Sequence, residues 1–270
     1  MNQSYCEATV IPKQLGASRI GLIVPSSNTT METELPELFR RQSEATGHQY
    51  TFHSARAGMK NVNRTELLAM VGKAAGCAEA VSDADVDVIA YACLVAVMAQ
   101  GPSAHLESER LIAEAASANG HPASVTSSAG ALVRSLQGMG AKKVAIITPY
   151  MRPLTKLVVE YIEGAGITVL DAISLEVADN LAVGRLDPQT LPELARKLQY
   201  KGADAIVLSA CVQMPSLAAV QTVEDDLGIP VITAAVATSY EILKALGHQP
   251  SIKGAGHLLS GNAAFSVATA

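Results

Sequence analysis

The stretch RIGLIVPSSN at residues 19–28 returns, altered but recognisable, as KVAIITPYMR at 143–152, with Pro25 and Pro149 in equivalent places. Two further landmarks repeat in the same order. An apolar run ends in Ala-Cys at 92–93 and again at 210–211, and GHPASVTSSAG (120–130) corresponds to GIPVITAAVAT (228–238). A pattern that restarts halfway restricts the chain to two copies of one architecture. Within each copy, short β-rich runs alternate with longer helical ones. RIGLIVP (19–25), YTFHSAR (50–56), VDVIAYAC (86–93) and HPASVTS (121–127) are followed by helical patterns near 31–44, 64–82, 104–118 and 128–138. KKVAIITPY (142–150) and ITVLDAISL (167–175) lead to helices near 153–164 and 188–201. ADAIVLSAC (203–211) and IPVITAA (229–235) close the series, with a last helix in TSYEILKALG. Strand and helix at this spacing predict βαβ units and parallel sheets. The expected fold is α/β, two pseudo-symmetric Rossmann-like lobes with a cleft between them. Residues 19–129 with 236–270 are expected to form the first lobe and 130–235 the second, with an N-terminal extension at 1–18.

Composition agrees with this class. The 270 residues are 49% hydrophobic and 17% charged, with 4% aromatic residues and no Trp, as strands buried on both faces require. A net charge of −5 without a basic stripe argues against a nucleic-acid partner. The longest apolar run, near 86–99, is interrupted by Asp87 and is too short to cross a bilayer. The first eighteen residues lack the basic and apolar regions of a secretory signal. The expected compartment is therefore the cytoplasm, where thiols stay reduced. The four cysteines have no zinc-site spacing, and no P-loop, GxGxxG or HExxH occurs.

Parallel sheets present their functional loops at the carboxyl ends of the strands. Cys93 and Cys211 fall there, at matched positions of the two halves. Each alone could be a small packed residue; as a pair they point to chemistry on one ligand from opposite sides. The other strand-end loops offer neutral donors: Ser26, Ser27, Asn28, Thr29 and Thr30 after the first strand, Tyr150 and Arg152 after the fifth, and Asn180 after the sixth. Capping explains some of the Ser, Thr and Asn residues. The excess, before a helix N-terminus, suits a small anion such as a carboxylate.

These residues carry a family resemblance. GLIVPSSNTTMETE, YACLVA, TPY, ADNLAVGRL and SACVQM, in that order and over nearly the whole chain after residue 18, resemble the maleate cis-trans isomerases of the aspartate/glutamate racemase superfamily. The two cysteines make the chain resemble that family more than the arylmalonate decarboxylases, relatives with a single catalytic cysteine. The resemblance implies a cofactor-free and metal-free site between the lobes, maleate and fumarate as ligands, and a homo-oligomer. It also implies a place in bacterial breakdown of N-heteroaromatic compounds such as nicotinic acid. Carried over, Cys93 is the nucleophile, Cys211 its partner across the substrate, and Asn28, Tyr150 and Asn180 hold the carboxylates. A thiolate adding to the alkene makes the double bond temporarily single, which permits rotation. Two rivals stay open on the residues alone. One is a two-cysteine aspartate or glutamate racemase, its thiols acting as acid and base. The other is a non-catalytic binding protein for small acids.

Overall fold

The structure, a computed structural model, describes residue 13 and residues 16–59 and 64–261. Most of the extension expected at 1–18, with Cys6, lies outside the described residues, as does 262–270.

The first half runs β1 (Ser18–Pro25), α1 (Met31–Thr46), β2 (Tyr50–Ala57), α2 (Arg64–Val71), α3 (Ala74–Ser82), β3 (Val88–Tyr91), α4 (Leu94–Met98), α5 (Ala104–Ala118), β4 (Ser124–Ser127) and α6 (Ser128–Gly138). The second runs β5 (Lys143–Thr148), α7 (Arg152–Gly164), β6 (Thr168–Ser174), α8 (Asn180–Val183), α9 (Leu191–Lys197), β7 (Ala205–Ser209), α10 (Leu217–Leu227), β8 (Val231–Thr233) and α11 (Ala234–Ala245). Each half builds a four-stranded sheet, in order β2-β1-β3-β4 and β6-β5-β7-β8. All pairings are parallel. The α/β class and the repeat are therefore as expected, and the two sheets share one strand order.

The central strands are the apolar runs of the sequence. Ile20 and Leu22 to Val24 in β1, Val144 to Ile147 in β5 and Ala205 to Leu208 in β7 are fully buried, because helices cover both faces of a parallel sheet. Gly21 lets α3 sit close: a Cβ there would meet Val81 and Val86 at 3.1 and 3.2 Å. The last helix crosses back. In α11, Glu241 bonds Arg134 of α6 at 2.7 Å, and Thr238 donates to Ser128 at 2.9 Å.

Several elements differ from the sequence reading. The helix expected near 64–82 is broken into α2 and α3 at Gly72 and Lys73, where glycine costs a helix about 1 kcal/mol relative to Ala. The helix near 188–201 is a 3-10 turn at Pro188–Thr190 followed by the shorter α9. Helix α11 begins inside the run read as a strand, since Thr233 accepts the Val236 N–H and caps it there. Helices α4, α8 and α10 were not anticipated; α4 and α8 are too short to show a period, and α10 lay unassigned between the last two strands.

In each sheet the chain leaves one central strand for one edge and re-enters on the other side of it. The switch lies between β1 and β3, and between β5 and β7. Crevices for ligands open at such switch points, beyond the strand carboxyl ends. The loops found there carry Asn28 and Cys93 in the first sheet, Tyr150 and Cys211 in the second.

Candidate active site

All five residues singled out in the sequence line one pocket. Asn28, Cys93, Tyr150, Asn180 and Cys211 meet there with Pro25, Met59, Leu94, Val95, Val212 and Gln213. Two lobes therefore contribute to a single site. Among the described residues, no charged side chain lines it.

Cys93 sits two residues beyond β3, at the N-cap of α4, and is 2% exposed. Its thiol donates to Met70 Sδ at 3.8 Å. Burial pushes the Cys93 thiol up to about 12; the Ala96 N–H pulls against this, while nearby Cys211 adds to it. Cys211 follows β7 by two residues, and its Sγ accepts the Gln213 N–H at 3.3 Å. Burial raises its pKa as well, and the Tyr150 hydroxyl and the N–H groups of Gln213 and Met214 partly offset that. Cys211 nearby also disfavours a charge on Cys93. Tyr150 is also buried, and its hydroxyl is pushed well above its ordinary value by burial and by both cysteines.

The two asparagines are held in place by their own amides. Asn28 Oδ1 accepts the N–H groups of Thr30 at 3.1 Å and Met31 at 3.0 Å, and its Nδ2 donates to Val212 O across the cleft at 3.0 Å. Asn180, the first residue of α8, donates from Nδ2 to Ser27 Oγ at 2.7 Å. A primary amide carries two N–H donors. Each asparagine thus uses one amide proton to fix its orientation, with a second left over.

Other candidates take different parts. The α1 N-terminus, expected to receive an anion, is closed by Asn28 Oδ1 and by the Thr29 N–H, which bonds Gln213 Oε1 at 2.9 Å. Ser26 Oγ receives the Met59 N–H at 3.0 Å, and Thr30 Oγ1 donates to Gln213 O at 2.6 Å. Ser127 caps α6 through the Gly130 N–H. Arg152 points away from the pocket: its side chain is 81% exposed and pairs with Glu176. Cys77, in α3, is not a pocket residue. Sequence reasoning missed Gln213 and the apolar wall of Met59, Leu94 and Val95. The available signal for Gln213 was one amide inside the apolar SACVQM run, two places beyond a flagged cysteine.

The chain is similar to known proteins over nearly its whole length. The family model for arylmalonate decarboxylase matches residues 20–259. A maleate isomerase from Geobacillus stearothermophilus is 54% identical over 244 residues, spanning 90% of this chain and 97% of that protein. A variant of the maleate isomerase Iso from Pseudomonas putida S16, crystallised with maleate, superposes with a TM-score of 0.90 at 46% identity, covering 92% of this chain and 99% of that one. A Cys-to-Ser mutant of Nocardia farcinica maleate cis-trans isomerase, holding a covalently bound succinylcysteine intermediate, superposes with a TM-score of 0.88 at 46% identity, covering 92% and 100%.

Proposed function

Because this chain belongs to the maleate isomerase family, we propose that it converts maleate to fumarate by covalent catalysis at Cys93, without a cofactor. The observation that carries this is the meeting of Cys93 and Cys211 from opposite lobes in one uncharged pocket beside Asn28, Tyr150 and Asn180. The succinylcysteine adduct in the Nocardia farcinica relative supports addition of a sulfur to the alkene, and the maleate-bound Pseudomonas putida relative supports the substrate.

The chemistry follows from the pocket. The Cys93 thiol first gives up its proton to solvent, and the thiolate forms a bond to one alkene carbon. The π electrons move to the carboxylate on the other carbon as an enediolate, and Cys211 delivers its proton to that carbon. The adduct has a carbon–carbon single bond and turns about it. Cys211 then takes the proton back, the double bond reforms, and the Cys93–carbon bond breaks to release fumarate. Protons and electrons return to their starting places, so no redox partner is consumed. The spare amide protons of Asn28 and Asn180 and the Tyr150 hydroxyl hold the carboxylates. These donors are neutral and release a rotating carboxylate more readily than a bidentate Arg would.

A racemase would use the same thiols as acid and base, but it needs a partner for the substrate ammonium group. The absence of a carboxylate among the described pocket residues favours the isomerase. The packing of α11 against α1, β3 and β4 supports placing 236–270 with 19–129, against 130–235. A cytoplasmic homo-oligomer serving the breakdown of N-heteroaromatic acids fits the family.

Proton NMR of maleate with reduced, cofactor-free protein tests the proposal. The wild type is expected to give fumarate, and Cys93→Ala to lose at least about 10³-fold of that rate, as loss of a nucleophile does. Maleate that stays unchanged while aspartate or glutamate racemises would hand the site to the rival.

A further inference from the structure

We propose that Gln213 is the positioning residue of this site, its amide clamping the loops that carry Asn28, Asn180 and Cys211 into one geometry, an assignment that rests on the roles given above to those three side chains. Gln213 is 2% exposed, and its hydrogen bonds reach three loops in two lobes. Oε1 accepts the Thr29 N–H at 2.9 Å, and Nε2 donates to Ser27 O at 3.1 Å and to Asn180 O at 3.0 Å. Ser27 and Thr29 are the two neighbours of Asn28, so the amide grips the chain on both sides of it. The third bond fixes the backbone of Asn180. The main-chain N–H of Gln213 meanwhile points at Cys211 Sγ, at 3.3 Å. Both amide protons and the carbonyl oxygen are used, and every partner of the amide is neutral. Glutamine is the one common side chain of this length with two donors beside an acceptor. Glutamate has none to spare, and asparagine is a methylene shorter.

A second observation points the same way. Gly184, just past α8, has φ −66° and ψ −8°, which any residue adopts. Its lack of a side chain answers to space instead. A Cβ there would lie 2.5 Å from Gln213 Nε2 and 2.8 Å from Thr29 Oγ1. Thr29 is exposed and its hydroxyl can turn away. The Gln213 amide is pinned by three bonds, so alanine at 184 is expected to displace it.

Conversion of maleate to fumarate is measured for the wild type, Gln213→Ala, Gly184→Ala, the double variant and Gln213→Glu, with thermal midpoints alongside. Misplacement of reacting groups by about 1 Å costs about 10²-fold, and Gln213→Ala is expected to lose about that much kcat/KM. Gly184→Ala is expected to lose in the same direction. In the double variant the displaced amide is gone, so the two losses do not multiply. Gln213→Glu supplies a further test should Gln213→Ala not fold. Its protonated acid donates to one of the two carbonyls, whereas its carboxylate faces Ser27 O and Asn180 O without a proton. Activity relative to wild type is therefore expected to fall as pH rises from about 6 to about 9, and a merely structural role leaves that ratio flat. Fumarate from the wild type, with Gln213→Ala and Gly184→Ala within about twofold of it, would overturn the assignment alone. A flat Gln213→Glu ratio with multiplying losses would do the same. No fumarate from the wild type would sink the isomerase proposal and this one with it.

Discussion

Burial pushes the Cys93 thiol up to about 12, which makes it a poor nucleophile, because the thiolate is the reactive form. The cause is burial first, with the neighbouring Cys211 adding to it. A group whose acid pKa is raised gains its reactive form as pH climbs. We therefore expect log kcat/KM for maleate to rise by about one unit per pH unit between about pH 7 and pH 9. A profile flat over that range would mean that Cys93 is already ionised in the free protein. The same burial favours amides and a phenol as the groups proposed to hold the carboxylates. In a closed apolar pocket, a neutral donor avoids the several kcal/mol that desolvating an unpaired charge costs.

At the scale of elements, each lobe completes a helix of the other. Glu34, in the first turn of α1, accepts the N–H groups of Ser216 at 2.6 Å and Leu217 at 2.7 Å, at the start of α10. In the counterpart arrangement, Tyr161 of α7 accepts the His105 N–H at 3.2 Å and meets His105 Nδ1 at 2.5 Å, at the start of α5. The first N–H groups of a helix have no partner of their own, and here they find one across the cleft. Burial raises the Glu34 carboxyl, and the two N–H groups pull it back. Glu34→Ala is expected to destabilise the protein by about 1–2 kcal/mol, the usual cost of losing a cap. Glu34→Gln keeps an acceptor oxygen and loses much less. Urea unfolding of the two variants checks this, and equal losses would refute the capping role. Because α10 follows the Cys211 loop, its anchoring also bears on where that thiol stands.

The whole molecule is two sheets tied through one seam. Asn28 to Val212, Thr30 to Gln213 and Glu34 to Ser216 all cross it, and so does the α6–α11 pairing through Arg134 and Glu241. Beyond α11 the chain ties α1 to α10 again. Gln42 Nε2 donates to Gln249 O at 2.8 Å, and the His257 N–H donates to Glu224 at 3.0 Å. Lobes joined by that many bonds should lose them together. Calorimetry is expected to give one unfolding transition with equal calorimetric and van't Hoff enthalpies, and two resolved transitions would show that the lobes stand independently.

Local pattern by itself determined the strands, their alternation with helices and the duplication. Burial on both faces writes a run such as GLIV or AIVL directly into the chain, and the repeat makes two such series. It also determined that Cys93 and Cys211 stand where parallel strands end, since that follows from strand length and direction alone. The meeting of those thiols with Asn28, Tyr150 and Asn180 was implied by the family resemblance, whereas strand-end placement alone offered these residues among other donors. Only the tertiary structure decided that the α1 N-terminus is closed by Asn28, that Arg152 faces outward, and that Gln213 and Glu34 hold the seam. Asn28 and Val212 are 184 residues apart. A bond between such partners depends on how two sheets pack against each other, and no window of sequence contains that packing.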